Sequence, residues 1–214
     1  MLHVDSLVFN AFQVNTYMVT SEEGDCLVID PAFHSPEEIK AFDHYISAKG
    51  LSIIGLLNTH CHVDHVLGVK HMQTSYKCPL RAHPAEAGLL NNAPMMGEVF
   101  GLQVEALSGI DQHISDNEFI SIGRDRLRAI LVPGHSPGSL CYYSKESGFV
   151  ITGDSLFQGS IGRTDLPGGD FDTLVSSIRS RLLTLPPETR VYPGHGDATS
   201  IGEEAANNPF LGMA

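Results

Sequence analysis

Apolar residues fall in short runs broken by Gly, Pro, Asn and Ser, a pattern that predicts many short strands interleaved with helices. Residues 2–9, 15–20 and 26–30 read as strands, the last two divided by the polar turn Ser21-Glu22-Glu23-Gly24. Ser35-Pro36-Glu37-Glu38 supplies an N-cap, a proline at the first helical position and acidic first-turn residues. A helix is therefore expected from there to about Lys49, closed by Gly50. Residues 53–58 read as a buried strand, followed by a His-rich loop, a helix over 66–76, a short strand over 80–82 and a helix from Pro84 to about Leu90. The stretch 91–111 opens with Asn91-Asn92-Ala93-Pro94 and reads as irregular, a flap beside a site. Strands follow at 118–122, 126–132, 139–143 and 149–152, then a helix over 171–183, a strand over 190–192 and a last helix from about 199. Tyr142 and Tyr143 are neighbours on a strand, so one is expected to face the core and the other away from it.

With 214 residues and no repeat or Pro/Gly/Ser linker, the chain fits one domain, 1–214. Thirteen Lys and Arg against 25 Asp and Glu give a net charge of −12. Such a charge speaks against nucleic acid or an anionic membrane as partner, because both need a concentrated positive field. No apolar run approaches the length of a membrane span, and Met1-Leu2-His3-Val4-Asp5 has no signal-peptide character. Cys26, Cys61, Cys78 and Cys141 are scattered in no zinc-finger or redox spacing and read as reduced, buried thiols, so a cytoplasmic location is expected.

The chemistry concentrates at four strand-to-loop junctions. Asn58-Thr59-His60-Cys61-His62-Val63-Asp64-His65 packs three imidazoles and a carboxylate into six positions. Pro133-Gly134-His135, Gly153-Asp154 and Pro193-Gly194-His195 each place one more donor directly after a strand. A strand end fixes a side chain while its loop admits substrate. Five imidazoles and two carboxylates suit a pair of borderline divalent ions, zinc first, with iron or manganese as alternatives. A chance HxHxDH in a chain of this length is on the order of one in a thousand.

His60-x-His62-x-Asp64-His65 with His135, Asp154 and His195 resembles the ligand set of the metallo-β-lactamase-fold hydrolases, over nearly the whole chain. The resemblance implies an α/β (α+β) fold, a four-layer αββα sandwich of two mixed sheets with helices on the outer faces. It assigns one metal to His60, His62 and His135 and the other to Asp64, His65 and His195, with Asp154 shared. Asp30, in Val28-Ile29-Asp30-Pro31, matches the family's acidic residue after an early strand and is expected to orient a ligating histidine; the plainer reading is a turn-forming Asp before Pro.

Within that superfamily, flavodiiron-type sites have Glu where this chain has His62, and an antibiotic-degrading branch has Cys at Asp154. Pro133-Gly134-His135-Ser136-Pro137-Gly138-Ser139, the stretch from Thr152 to Asp165 and the ending through Asn208-Pro209-Phe210-Leu211 resemble the short glyoxalase II-like branch. The longer glyoxalase II enzymes add a C-terminal helical domain that helps hold glutathione, which this chain is expected to lack. They also carry Lys and Tyr at the positions of Arg163 and Asp165. Arg163 then either pairs with a substrate carboxylate or forms an ion pair with Asp165 that shapes the loop. The resemblance implies hydrolysis of a small-molecule thioester by a water activated between two metals, with Asp64 and Asp154 as the catalytic carboxylates. Ser136, Ser139 and Cys61 have no partner base and read as structural. The alternative on this fold is a persulfide dioxygenase with one iron on His60, His135 and Asp154.

Overall fold

A computed structural model describes residues 1–212. The strands are β1 (His3–Phe9), β2 (Val14–Thr20), β3 (Asp25–Ile29), β4 (Ser52–Leu57), β5 (Leu80–Ala82), β6 (Gln112–His113), β7 (Phe119–Ile122), β8 (Asp125–Leu131), β9 (Leu140–Ser144), β10 (Phe149–Gly153), β11 (Leu156–Phe157), β12 (Ser160–Ile161), β13 (Arg190–Pro193) and β14 (Thr199–Ser200). The helices are α1 (Pro36–Lys49), α2 (Val69–Ser75), α3 (Ala87–Val99), α4 (Phe171–Ser177) and α5 (Ile201–Asn207). One sheet runs β1-β2-β3-β4-β5-β6, antiparallel through β3 and parallel from there on. The other runs β14-β13-β10-β9-β8-β7, with only β10 and β13 parallel.

Three cores explain the layers. Between the sheets, Tyr17, Val19, Leu27, Ile29 and Leu57 of the first meet Leu127, Ala129, Tyr142 and Ile151 of the second. Met18, Val28 and Leu56 point the other way and are covered by Phe42, Val69, Met72 and Leu90 from α1, α2 and α3. Ile130, Cys141, Val150 and Val191 likewise meet Leu174 and Ile201 from α4 and α5. Strand alternation therefore feeds two cores from each sheet, and helices close both outer faces, giving the αββα sandwich. As expected, Tyr142 faces the core between the sheets and Tyr143 the opposite face, beside its strand neighbour Arg128; both are buried because helices also cover that outer face.

The start of α1 forms as its letters predict: Ser35 accepts the Glu38 N–H and the Glu38 carboxylate accepts the Ser35 N–H, while Gly50 closes the helix at φ +61°. The stretch 91–111 differs from expectation. Its first nine residues continue α3 through Pro94, because Leu90, Ala93 and Gly97 lie on one buried face. A Cβ on Gly97 would sit 2.5 Å from Val104 Cγ2, so the following loop packs directly on that face. Packing outweighs the turn-forming letters there. Among the described residues no helix is long and apolar enough to cross a membrane.

Candidate metal centre

The four junctions predicted from the sequence meet at one end of the sandwich. The Asn58–His65 loop leaves β4, His135 follows β8, Asp154 follows β10 and His195 follows β13. Alternation on the extended part of the first loop turns the His60 and His62 rings into the groove and the Cys61 thiol into the core. Asn58 holds this loop from within, donating to the carbonyls of His60 and His65 at 3.2 and 2.8 Å. Asn10 reaches the Asp64 carbonyl at 3.0 Å from the β1–β2 turn.

Glycine is required where the backbone closes on the site. A Cβ on Gly194 would lie 2.1 Å from Asp154 Oδ1, and one on Gly134, whose φ is +126°, 2.3 Å from the Leu174 nitrogen. These contacts account for the Pro-Gly-His pattern at two of the junctions.

The seven donors form two groups. His135 Nε2 lies 3.2 Å from His60 Nε2 and 2.9 Å from His62 Nδ1. His65 Nε2 lies 3.3 Å from His195 Nε2, and Asp64 Oδ2 is 3.5 Å from His195 Nε2. Asp154 joins them: Oδ2 is 3.4 Å from His195 Nε2 and 3.7 Å from His135 Nε2, while Oδ1 is 3.4 Å from His65 Nε2. His60–His62–His135 and Asp64–His65–His195 each have donor atoms within 4.8 Å of one another, close enough to share an ion. A third such group, Asp30–His60–His65, is tied up in hydrogen bonds behind the rings.

Ring orientation decides what the pocket can hold. His135 Nδ1 donates to the Arg163 carbonyl at 2.8 Å and His195 Nδ1 to the Phe12 carbonyl at 2.9 Å. His65 Nδ1 lies 3.1 Å from Asp30 Oδ2, and His60 Nδ1 lies 3.1 Å from Thr59 Oγ1, which itself donates to Asp30. A carbonyl can only accept, so in the neutral rings of His135 and His195 it is Nε2 that carries the lone pair. Lone pairs facing one another at about 3 Å repel unless a positive charge sits between them. Two further polar atoms, Asp154 Oδ1 and His62 Nε2, are buried with no hydrogen-bond partner. The donor set fits divalent cations.

The two groups differ electrostatically. Burial, with His65 and His135 close by, lowers the His60 pKa well below its ordinary value, and burial takes His62 down to about 4. Burial also lowers His135. These three rings are neutral at pH 7, the form that coordinates. Burial also disfavours charge on His65 and His195, but the Asp154 and Asp64 carboxylates outweigh it, raising His65 well above the usual range and His195 to about 9. Asp154 is pushed up by burial and pulled further down by His65 and His195, ending well below an ordinary carboxylate.

Asp30 sits behind both groups. Its backbone is left-handed, φ +53°, and its buried carboxylate accepts from the Thr59 N–H and hydroxyl at 2.7 and 2.6 Å as well as facing His65. Arg163 forms the ion pair with Asp165, two contacts of 2.7 Å on an exposed loop, and it is its main-chain carbonyl that reaches into the site. Cys61 is buried and its thiol pushed well above the usual range by burial, and Ser136 and Ser139 bond to each other at 2.6 Å. Sequence reasoning missed Asn10, Thr59 and Glu86, along with the carbonyls of Phe12 and Arg163; only Thr59, inside the histidine motif, stood where a signal could be sought.

Fold and centre together define a metallo-hydrolase architecture. A family model described as the metallo-beta-lactamase superfamily matches residues 9–195, and the chain belongs to that superfamily. It is 40% identical to the probable metallo-hydrolase YqgX of Bacillus subtilis, over 93% of this chain and 92% of that one. It is 32% identical to the hydroxyacylglutathione hydrolase GloC of Haemophilus influenzae, over 98% of both chains. Among solved structures, it is similar to TTHA1623 in a di-iron-bound form, with a TM-score of 0.87 and 36% identity over 97% of this chain and all of that one. It also resembles BLEG-1, a B3 metallo-beta-lactamase, with a TM-score of 0.90 and 31% identity over 98% and 99%.

Proposed function

We propose that this protein hydrolyses small-molecule thioesters, an S-acylated glutathione being the first substrate to test, and that it does so with two divalent cations. His60, His62 and His135 hold one, Asp64, His65 and His195 the other, and Asp154 lies between them. The observation that carries this reading is the convergence of five imidazoles around Asp154, with His60, His65, His135 and His195 each held from behind. The likeness to GloC over nearly the full length of both chains supports the thioester as substrate. Zinc suits the nitrogen-rich set, and the di-iron neighbour makes iron the first alternative.

When bound, such ions supply an acidified water at neutral pH and a Lewis acid for a carbonyl oxygen. The chain's own groups do the rest. Asp154 Oδ1, ionised and unpartnered, is the atom open to a water's proton. Asp64, whose pKa burial raises but the charge of His65 and the His195 hydrogen bond bring below the ordinary value, serves as the second carboxylate. Neither Cys61, buried and protonated, nor Ser136, locked to Glu86 and Ser139, is free to act as nucleophile. Water therefore adds directly to the carbonyl carbon, the C–S bond breaks, and a carboxylate and a thiol leave. A substrate carboxylate that reaches Arg163 displaces Asp165. Neither nucleic acid nor membrane takes part, and four buried free thiols suit the reducing cytoplasm.

Protein purified without added metal is expected to hydrolyse S-lactoylglutathione, to lose that activity on chelation and to regain it with zinc. Hydrolysis that survives complete chelation overturns the reading. Oxygen consumption with a persulfide in place of thioester cleavage overturns it in favour of the single-iron alternative, and cleavage of a β-lactam alone moves the substrate toward that of BLEG-1.

A further inference from the structure

Glu86 lies outside the seven donors, in the turn just before α3, yet its side chain is completely buried. Its carboxylate reaches both loops of the three-histidine group. Oε2 accepts the N–H of Cys61, the residue between His60 and His62, at 2.8 Å. Oε1 accepts the Ser136 hydroxyl at 2.8 Å and the Gly138 N–H at 2.6 Å, on the loop that carries His135. A Cβ on Gly138 would lie 2.9 Å from that oxygen, so this loop closes tightly on the carboxylate. All three contacts are donors, and among the described residues no Lys or Arg pairs with Glu86. A buried carboxylate without a cationic neighbour is expensive. A cation held one residue away on either side offsets that cost.

We propose that Glu86 is a positioning residue for the His60–His62–His135 group. Its carboxylate clamps the two loops at the spacing that ion requires and supplies negative charge behind it. This rests on the two-cation reading above, and it predicts an asymmetry which that reading alone does not. Loss of the Glu86 charge weakens cation binding at the three-histidine group and spares the Asp64–His65–His195 group.

The test titrates zinc into metal-stripped protein against a chromophoric chelator, with His62→Ala and His195→Ala marking which step belongs to which group. Glu86→Gln keeps the side chain's size but turns one acceptor into a donor. It is expected to weaken the step lost in His62→Ala by about 10- to 100-fold and to leave the step lost in His195→Ala unchanged. Ser136→Ala, which removes one of the three donors and keeps the charge, should weaken the same step by less and serves if Glu86→Gln fails to fold. Glu204, in α5 beside the second sheet, is a comparable buried carboxylate, accepting from Gly159, Thr199 and Asn208. Glu204→Gln should cost thermal stability and leave both steps in place, which separates positioning from general destabilisation. If Glu86→Gln weakens both steps alike, or neither, the proposal falls while the two-cation reading stands. If the wild-type protein binds no zinc, both fall.

Discussion

Exchange of Asp154 for asparagine is expected to lower kcat for thioester hydrolysis by about 10³-fold, with a much smaller change in KM. The substitution keeps the shape of the side chain and replaces one carboxylate oxygen by an amide nitrogen, which has no lone pair to offer. The two oxygens have different places: Oδ2 stands between His195 and His135, and Oδ1 faces His65 without a hydrogen bond. Asparagine can turn only one acceptor into the groove, so either the link between the two donor groups or the free proton acceptor is lost. The negative charge that holds protons or cations on the His65–His195 side goes with it. Steady-state kinetics on Asp154→Asn, with metal content measured on the same sample, check this. Activity within tenfold of wild type would remove Asp154 from the chemistry.

The second large effect concerns stability as well as activity. Asp30→Ala leaves the Thr59 N–H, the Thr59 hydroxyl and His65 Nδ1 without their acceptor in a region closed to water. Each stranded buried donor costs about 1–3 kcal/mol, so unfolding free energy should fall by about 3 kcal/mol or more, read by urea denaturation of the metal-free protein. Because Asp30 stands behind His65 directly and behind His60 through Thr59, cation affinity should fall at both groups. Glu86 differs, since its contacts fall only beside His60, His62 and His135. The more conservative Asp30→Asn keeps an acceptor for Thr59 and should fall between the two in stability. Unchanged stability in Asp30→Ala would return the residue to the simpler role of a turn-forming Asp before Pro31.

All seven donors and their place at strand ends could be seen in the sequence because strand-loop boundaries leave a clear change of pattern, and imidazoles in HxHxDH spacing rarely gather by chance. What orients those rings could not. His135 and His195 are aimed by the main-chain carbonyls of Arg163 and Phe12, and every residue has a carbonyl; only the fold selects these two. Glu86 was hidden for a related reason: a lone acidic residue in a helical turn looks like solvent-facing surface until three donors from distant loops close over it. The helix over Ala87–Val99 runs past its expected end near Leu90 because the contacts of Leu90, Ala93 and Gly97 outweigh the turn-forming Asn91, Asn92 and Pro94. Two-residue strands such as β6, β11, β12 and β14 are too short to show any alternation at all.

The proposed two-cation centre is tested most directly by anomalous diffraction, which locates each ion. Crystals of protein purified without added metal, measured on both sides of the zinc and iron absorption edges, should give two peaks at this end of the sandwich. One should fall among His60, His62 and His135 and the other among Asp64, His65 and His195, with the Asp154 carboxylate between them. A pocket with no anomalous peak, or a single iron peak on His60, His135 and Asp154, would contradict it.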